Sequence, residues 1–399
     1  MDKFRLTDEI NFKNKKALIR VDFNVPLNSR FEITDDTRIK ESIKTILHII
    51  ENGGKCIIIS HLGRPKGEGY EKKYSFNNIL ETLSKELKKD LLFISDYFEE
   101  NFSIHNAVKN HNIILLENLR FHKQEKLNEK LFSKKLASFA DVYVNDAFGT
   151  CHRKHASTFS VAKYSKEKCI GKLIEKELDN INYLLSKKEN PFSAIIGGAK
   201  VSDKIGIIDK LIELVDNIII GGAMANTFIA SLGGNIGDSL FEKEKLIISK
   251  NLLNKAKKNN VKVFLPEDVI CSSRLENIED IKVYDAYKIK NGHSCFDIGP
   301  KTIIKFEKII INSKKIVWNG PMGVFENDNF SNGTDKIVQA ISHATKNGAF
   351  SLIGGGDPVA SIKKNSMKDN ISHISTGGGA LLEYISKGFL PSLDLLKKE

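Results

Sequence analysis

A chain of 399 residues is too long for one ordinary hydrophobic core, so two domains are expected. Hydrophobic residues at 41% and charged residues at 28% exclude a disordered chain, and no apolar run approaches the ~20 residues needed to cross a bilayer. Lysine and arginine number 61 against 50 acidic residues, a net charge of +11, yet no basic block marks a nucleic-acid arm. A lysine-rich surface is the plain reading of that charge unless basic residues converge on one site. The N-terminus, "MDKFRLTDEI", lacks the apolar core of a secretory signal, so a cytoplasmic protein is expected. Cys56, Cys151, Cys169, Cys271 and Cys295 are scattered without a CxxC pair, which argues for reduced thiols.

The first half repeats a strand, a loop and an amphipathic helix. Strands are predicted at 17–23, 55–60, 91–94, 112–116 and 141–145, with helices near 37–51, 76–89 and 127–139. Runs such as "CIII" and "NIILL" suit strands buried on both faces, hence a parallel sheet between helices. Within "LIRVDFNVPL", alternation puts Ile19, Val21, Phe23 and Val25 on one face and Arg20, Asp22 and Asn24 on the other. Next, "KLIEKELDNINYLLSKKENPF" reads as one long helix stopped at Asn-Pro, a fitting domain connector. Beyond it come "SAIIGG", "NIIIGG", "KVFLP", "KKIVWNG", "FSLIGGG" and "HISTGGG", five of which end in glycine-rich turns.

Those turns precede predicted helices, where free N–H groups bind anions and glycine admits a phosphate closely. Neither GxxxxGK[ST] nor GxGxxG occurs, so any nucleotide is held in another way. In the first half Arg38 opens a helix, while His61, Arg64, Arg120 and Arg153 all follow predicted strands. A parallel sheet would bring these last four to one edge, together with Asp22 and Asn24. One arginine is most often a surface ion pair, but this set favours an anion site. His152 and His155 lack a third metal ligand, and no Ser-His-Asp arrangement or GxSxG elbow is present. Asp203, Asp268 and Asp357 suit helix caps, but Asp357, after three glycines, also suits magnesium beside phosphates.

At this point "RVDFNVP", "SHLGRP", "ENLRF", "NDAFGTCHRKHAS", "GGAKVSDKI", "DIGPKT", "VWNGPMGVFE", "GGGD" and "SHISTGGGA" resemble the phosphoglycerate kinase family, in order and over nearly the whole chain. The resemblance implies an α/β protein of two Rossmann-like three-layer domains with mainly parallel sheets. The first, 1–170, would bind phosphoglycerate and be completed by a returning tail, 380–399. Residues 171–188 would form the connecting helix and 189–379 the nucleotide domain. It further implies reversible phosphoryl transfer between 1,3-bisphosphoglycerate and ADP, giving 3-phosphoglycerate and Mg-ATP, by a monomer without specific nucleic-acid or membrane partners.

By matching motifs, the resemblance assigns substrate contacts to Asp22, Phe23, Asn24, Arg38, His61, Leu62, Gly63, Arg64, Arg120 and Arg153. It assigns nucleotide contacts to Lys200, Lys204, Gly221, Asn319, Glu326, Gly355, Gly356, Asp357 and Pro358, with Asp357 also holding Mg2+. Arg38, Lys200, Gly356 and Gly378 would surround the group in transfer. Three positions depart from the family pattern. Pro358 replaces a usual Ser or Thr and removes an N–H and a hydroxyl near the phosphates, so weaker nucleotide affinity is expected. Leu381 replaces a usual serine and Ser392 a usual glycine. Two rival readings, a non-catalytic sensor and a nucleic-acid binder, predict respectively a damaged Arg38–Lys200–Lys204–Asp357 set and steep salt dependence. All four residues are present.

Overall fold

The computed structural model describes residues 3–98, 102–186 and 189–398. The chain divides into two compact units, Met1–Asp179 with Lys387–Glu399, and Asn180–Ser386.

The first unit is built on six strands: β1 (Lys16–Val21), β2 (Lys55–Ile59), β3 (Leu92–Ile94), β4 (Ile113–Leu116), β5 (Val142–Asp146) and β6 (Glu167–Ile170). They lie in the order β3-β4-β2-β1-β5-β6, and every pairing is parallel. Runs such as Ile57-Ile58-Ile59 and Ile113-Ile114-Leu115-Leu116 are buried along their length, as a sheet covered on both faces requires. The helix Thr37–Glu51 lays Ile39, Ile43, Ile46 and Ile49 into this core. Its first turn begins at Thr37, whose N–H donates to Asp35 Oδ1 at 3.0 Å, and this sets Arg38 in position. Because the chain moves from β1 to β2 on one side and later crosses to β5 on the other, β1 lies at a topological switch, the usual place for a ligand.

The second unit has a six-stranded parallel sheet of β7 (Phe192–Ile196), β8 (Asn217–Ile220), β10 (Lys262–Phe264), β15 (Lys315–Asn319), β16 (Phe350–Gly354) and β17 (His373–Ile374). The order is β10-β8-β7-β15-β16-β17, so β7 and β15 sit at its switch. Two small sheets accompany it. β11 (Asp268–Ser272) pairs antiparallel with β12 (Lys282–Asp285) and β14 (Ser294–Ile298), and β9 (Asn235–Ile236) pairs with β13 (Lys288–Ile289). Asp268 caps the helix Pro300–Ile311, accepting from Thr302 N–H at 2.8 Å and Lys301 N–H at 3.1 Å.

Several expectations shift in detail. The predicted strand 17–23 stops at Val21, which leaves Asp22 and Asn24 in the loop after it. The predicted helix 76–89 starts as a tight turn, Phe76–Asn78, and only then runs as a helix over Leu80–Leu87. The cause is Glu117, a buried carboxylate that accepts from Ser75 Oγ at 2.6 Å and Phe76 N–H at 2.8 Å. The connecting helix spans Lys172–Leu185, and the end of its expected range, 187–188, lies outside the described residues. Its first N–H, of Lys172, donates to Thr45 Oγ1 at 2.9 Å, and the next two, of Leu173 and Ile174, donate to Asp146 Oδ1 at 2.9 and 3.3 Å, so the last residue of β5 helps to cap it. The tail docks on the first unit: Ser392 N–H donates to Cys151 O, and Lys398 N–H to Lys3 O at 2.8 Å.

Candidate active site

In the first unit the C-terminal ends of β1, β2, β4 and β5 share one edge, and each delivers part of a basic basin. From β1 comes Asp22, whose Oδ2 accepts from Arg38 Nη1 at 3.0 Å. The same Arg38 nitrogen donates to Asn24 O at 3.1 Å, which fixes the guanidinium across the end of the strand. Asn24 Oδ1 accepts from Gly63 N–H at 2.8 Å, tying this loop to the loop after β2. Gly63 has φ +64°, and a Cβ there would overlap the Tyr74 ring, so glycine is required. From β4 comes Arg120, nearly buried, with Nη1 donating to Gly63 O at 2.7 Å.

His61 sits in the middle, also buried. Desolvation pushes its pKa well below the ordinary value, and Arg20, Arg120, Arg38 and Arg153 push it further the same way. The ring is therefore neutral. Arg20 Nη2 donates to His61 Nδ1 at 3.0 Å, so the ring proton resides on Nε2 and is available to a ligand. Arg20 itself is buried and immobilised, with Nε donating to Ser157 Oγ at 2.9 Å and Nη1 to Val21 O. Ser157 is held in turn by the buried Glu125, which accepts from its N–H at 2.9 Å and its Oγ at 2.7 Å. Burial lowers the Arg120 pKa to about 10, with Arg20 and Arg153 adding to the effect, and His155 falls to about 4 for the same reasons. So many cations facing one another is the signature of a site that awaits anions.

The sequence-predicted residues divide by how they can act. Asp22, Asn24, Arg38, Gly63 and Arg120 form one hydrogen-bonded set, and His61 lies beside it, held through Arg20. Phe23 and Leu62 have their side chains in the core, Phe23 edge-on to Phe76, so only their backbone can meet a ligand. Arg64 and Arg153 are exposed, and Arg153 Nε donates to His152 Nε2 at 3.1 Å.

In the second unit the glycine-rich turns after β7, β8, β15, β16 and β17 share the C-terminal edge of the sheet. Close packing explains some of them: a Cβ on Gly221 would overlap Met322, and Gly222, at φ +67°, crosses Gly198. Others face open space. A Cβ at Gly356, Gly378 or Gly379 would meet nothing within 4 Å, which leaves their N–H groups room for a phosphate. Gly355, at φ +104°, precedes the helix Gly356–Lys364, with Asp357 exposed and Pro358 buried in its first turn. Lys204 Nζ donates to Asn319 Oδ1, and Asn319 Nδ2 donates to Gly354 O at 2.7 Å, which links three of the turns. Burial lowers the Lys204 pKa to about 8, against the opposing pull of Asp357 and Asp203. Partial desolvation raises the Asp357 pKa although the residue as a whole is exposed, and Glu326 adds repulsion. Lys200 and Glu326 are exposed.

A family model described as phosphoglycerate kinase matches residues 7–387. The chain belongs to the phosphoglycerate kinase family. It is 45% identical to the phosphoglycerate kinase of Finegoldia magna over 99% of both chains. It is 46% identical to that of Thermosipho africanus, over 98% of this chain and 97% of that one. The solved phosphoglycerate kinase of Coxiella burnetii superposes with a TM-score of 0.85 at 38% identity, covering 98% of each chain. A phosphoglycerate kinase is a phosphotransferase of glycolysis, and the α/β architecture of two six-stranded parallel sheets is the family's own.

Around the candidate residues the structure places buried polar groups that the motifs did not single out. Arg20 was visible only as part of a polar row, and its inward turn depends on Ser157 and Glu125, which lie more than 100 residues further along. Asn118 donates to both Leu62 O and Tyr74 O at 2.8 Å and so shapes the loop carrying His61. A buried carboxamide next to a candidate arginine is a signal, but "ENLRF" alone does not say where it points. Among the departures, Ser392 donates from Oγ to Arg153 O at 3.2 Å, so the tail braces the loop bearing Arg153. Leu381 is buried beside Gly354.

Proposed function

We propose that the chain transfers a phosphoryl group reversibly between 1,3-bisphosphoglycerate and ADP, giving 3-phosphoglycerate and Mg-ATP, with the glycerate bound by the first unit and the nucleotide by the second. The observation that carries this reading is a basin of four arginines around a histidine held neutral. Such a site recognises anions and is unsuited to general-base work. No base is needed, because the attacking atom is a phosphate or carboxylate oxygen that is already deprotonated. Catalysis then consists of positioning and charge neutralisation.

In this assignment Asp22 and Asn24 accept from the glycerate hydroxyl, and His61 Nε2–H donates to the ligand. Arg64, Arg120 and Arg153 bind its phosphate and carboxylate, while the backbone of Phe23, Leu62 and Gly63 closes round it. Lys204, Asn319, Gly221, Gly355 and Pro358 line the nucleotide phosphates and base, and Glu326 meets the ribose hydroxyls. Arg38, Lys200 and the N–H groups of Gly356 and Gly378 surround the group in transfer. Because the reactants bind to different units, catalysis requires the units to come together, which also excludes the water that would hydrolyse an acyl phosphate.

Among the described residues, no group of three or more His, Cys, Asp or Glu side chains could hold a metal by itself. A single exposed carboxylate, Asp357, beside open glycines fits a magnesium ion that arrives with the nucleotide. When bound, magnesium neutralises charge on the phosphates. Both half-sites come from one chain, so a monomer suffices, and soluble anionic substrates suit a cytoplasmic location. Among the described residues no helix is long and apolar enough to cross a membrane.

The test is a coupled assay. The protein is supplied with 3-phosphoglycerate and Mg-ATP, and glyceraldehyde-3-phosphate dehydrogenase reports product as NADH loss. Turnover abolished by EDTA is expected. Absence of turnover with nucleotide binding intact would overturn the reading.

A further inference from the structure

Four of the five cysteines are fully buried, and in the first unit no two of them face each other across a strand pair. The second unit differs. In the antiparallel pair of β11 and β14, Cys271 stands directly opposite Cys295. Both belong to one small apolar cluster with Ile229, Ile236, Val269 and Ile289, and Cys295 is the cysteine that retains exposure to solvent. Directly opposed residues on antiparallel strands have Cα atoms about 4.5–5.5 Å apart, inside the span that a disulfide bridges. Their Cβ atoms need approach by no more than about an ångström.

β14 also supports the nucleotide edge. The register slips next to Cys295, leaving Phe296 as the extra residue of a bulge. Phe296 O accepts from Val324 N–H at 2.8 Å, two residues from Glu326. Its neighbour Asp297 accepts from Gly333 N–H at 2.7 Å, and a Cβ on Gly323 would overlap that carboxylate. Movement of β14 is therefore transmitted to the loop that carries Glu326.

We propose that Cys271 and Cys295 are an oxidation site: a peroxide converts them to a reversible cross-strand disulfide, and the resulting shift of β14 weakens nucleotide binding. The second half of this proposal rests on the assignment of Glu326 to the nucleotide; the first does not. In the first step the Cys295 thiolate attacks a peroxide oxygen, the O–O bond breaks, and Cys295 becomes a sulfenic acid, while the departing hydroxide takes back from solvent the proton that the thiol had lost and leaves as water. In the second, Cys271 Sγ attacks the sulfenyl sulfur, the S–S bond forms, the S–O bond breaks, and the hydroxide takes the thiol proton as a second water. Two thiols lose two electrons and one peroxide gains them. Contact with Cys271, and then burial, holds the Cys295 thiol well above its ordinary pKa. The thiolate is scarce and the reaction slow, so it answers sustained exposure to peroxide and not a brief pulse.

The experiment treats the full chain with hydrogen peroxide, blocks remaining thiols with iodoacetamide after denaturation, and digests without reduction. Mass spectrometry is expected to find one linked peptide pair containing Cys271 and Cys295, lighter by two hydrogens, with Cys56, Cys151 and Cys169 alkylated. The Kd of a fluorescent ATP analogue is expected to rise at least threefold on oxidation and to recover with dithiothreitol. Both changes should vanish in Cys295→Ser and in Cys295→Val, two variants chosen because the site is partly exposed and tolerates either polarity. Five alkylated cysteines after oxidation would overturn the proposal. A linked pair with unchanged Kd would overturn the coupling to the nucleotide loop. Failure of the reduced protein to bind the analogue at all would count against the assignment of the nucleotide site, and the peptide map reads the disulfide independently of it.

Discussion

Lys204 is a cation that the fold keeps only partly charged, and nucleotide binding should therefore carry a proton with it. Burial lowers its pKa to about 8 from an ordinary 10.5. In the free protein the amine is then about 90% protonated at pH 7 and about 10% at pH 9. Nucleotide phosphates beside Nζ favour the charged form, so the bound state holds its proton across that range. The affinity for ATP should fall about tenfold between pH 7 and 9, or about 1.4 kcal/mol. Lys204→Arg does not titrate there and should flatten the profile. The measurement is isothermal titration calorimetry across pH, in buffers of different ionisation enthalpy, which also counts the protons taken up. A flat profile in the wild-type protein, or the same decline in Lys204→Arg, would refute the argument. The same shift has a consequence for stability. The folded pKa lies below the unfolded one, so between about pH 8 and 10.5 the unfolded chain binds the extra proton and stability from this group rises with pH. Below pH 8 the buried amine costs up to about 3 kcal/mol, and Lys204→Met should stabilise the protein there while abolishing activity.

Other expectations follow from the basin in the first unit and from its buried acids. Arg38→Ala should lower kcat by about a thousandfold or more with modest change in KM, since the proposed assignment sets this cation on the group in transfer. A large rise in KM at unchanged kcat would assign Arg38 to binding alone. Ser157→Ala frees Arg20 Nε and with it the contact to His61 Nδ1, so KM for 3-phosphoglycerate should rise about tenfold while kcat changes little. An unchanged KM would show that Arg20 is held adequately by its backbone contact. Burial raises the Asp146 pKa to about 7, well above its ordinary 3.8. A raised folded pKa contributes stability that is full below 3.8 and lost as pH rises through 7, so Asp146→Asn should raise Tm at pH 8 more than at pH 5. Equal shifts at both pH values would mean that the carboxyl stays ionised across this range.

How much of this was legible in the sequence depends on the distance over which each feature is determined. Parallel strands buried on both faces announce themselves locally, and the loops after them carry the chemistry, so His61, Arg120 and the glycine turns could be placed on C-terminal edges without coordinates. The fate of Arg20 could not. Alternation put it in one row with Asp22 and Asn24, but β1 ends between them, and Arg20 turns inward because Glu125 and Ser157 are waiting there. The broken helix near Phe76 has the same kind of cause, since Glu117, some 40 residues later, captures its first turn. The small sheet of β11, β12 and β14 went unread, and only pairing reveals that Cys271 meets Cys295. Pro358 is the reverse case: the sequence exposes the substitution fully, and the structure adds that its ring is buried within the first helical turn.

The docking of the tail bears on the order in which the molecule can be made. Residues 387–399 belong to the unit that the N-terminus begins, and Phe4 pairs with Lys397. A ribosome therefore delivers most of the first unit, then the whole of the second, and only after it the strip that finishes the first. Until that strip emerges, the loop carrying Arg153 lacks the brace that Ser392 supplies. The unit that emerges first is thus completed only after the second, and a nonsense mutation at codon 387 would strip the brace from the Arg153 loop of the first unit, although the interrupted stretch directly follows the second unit in sequence.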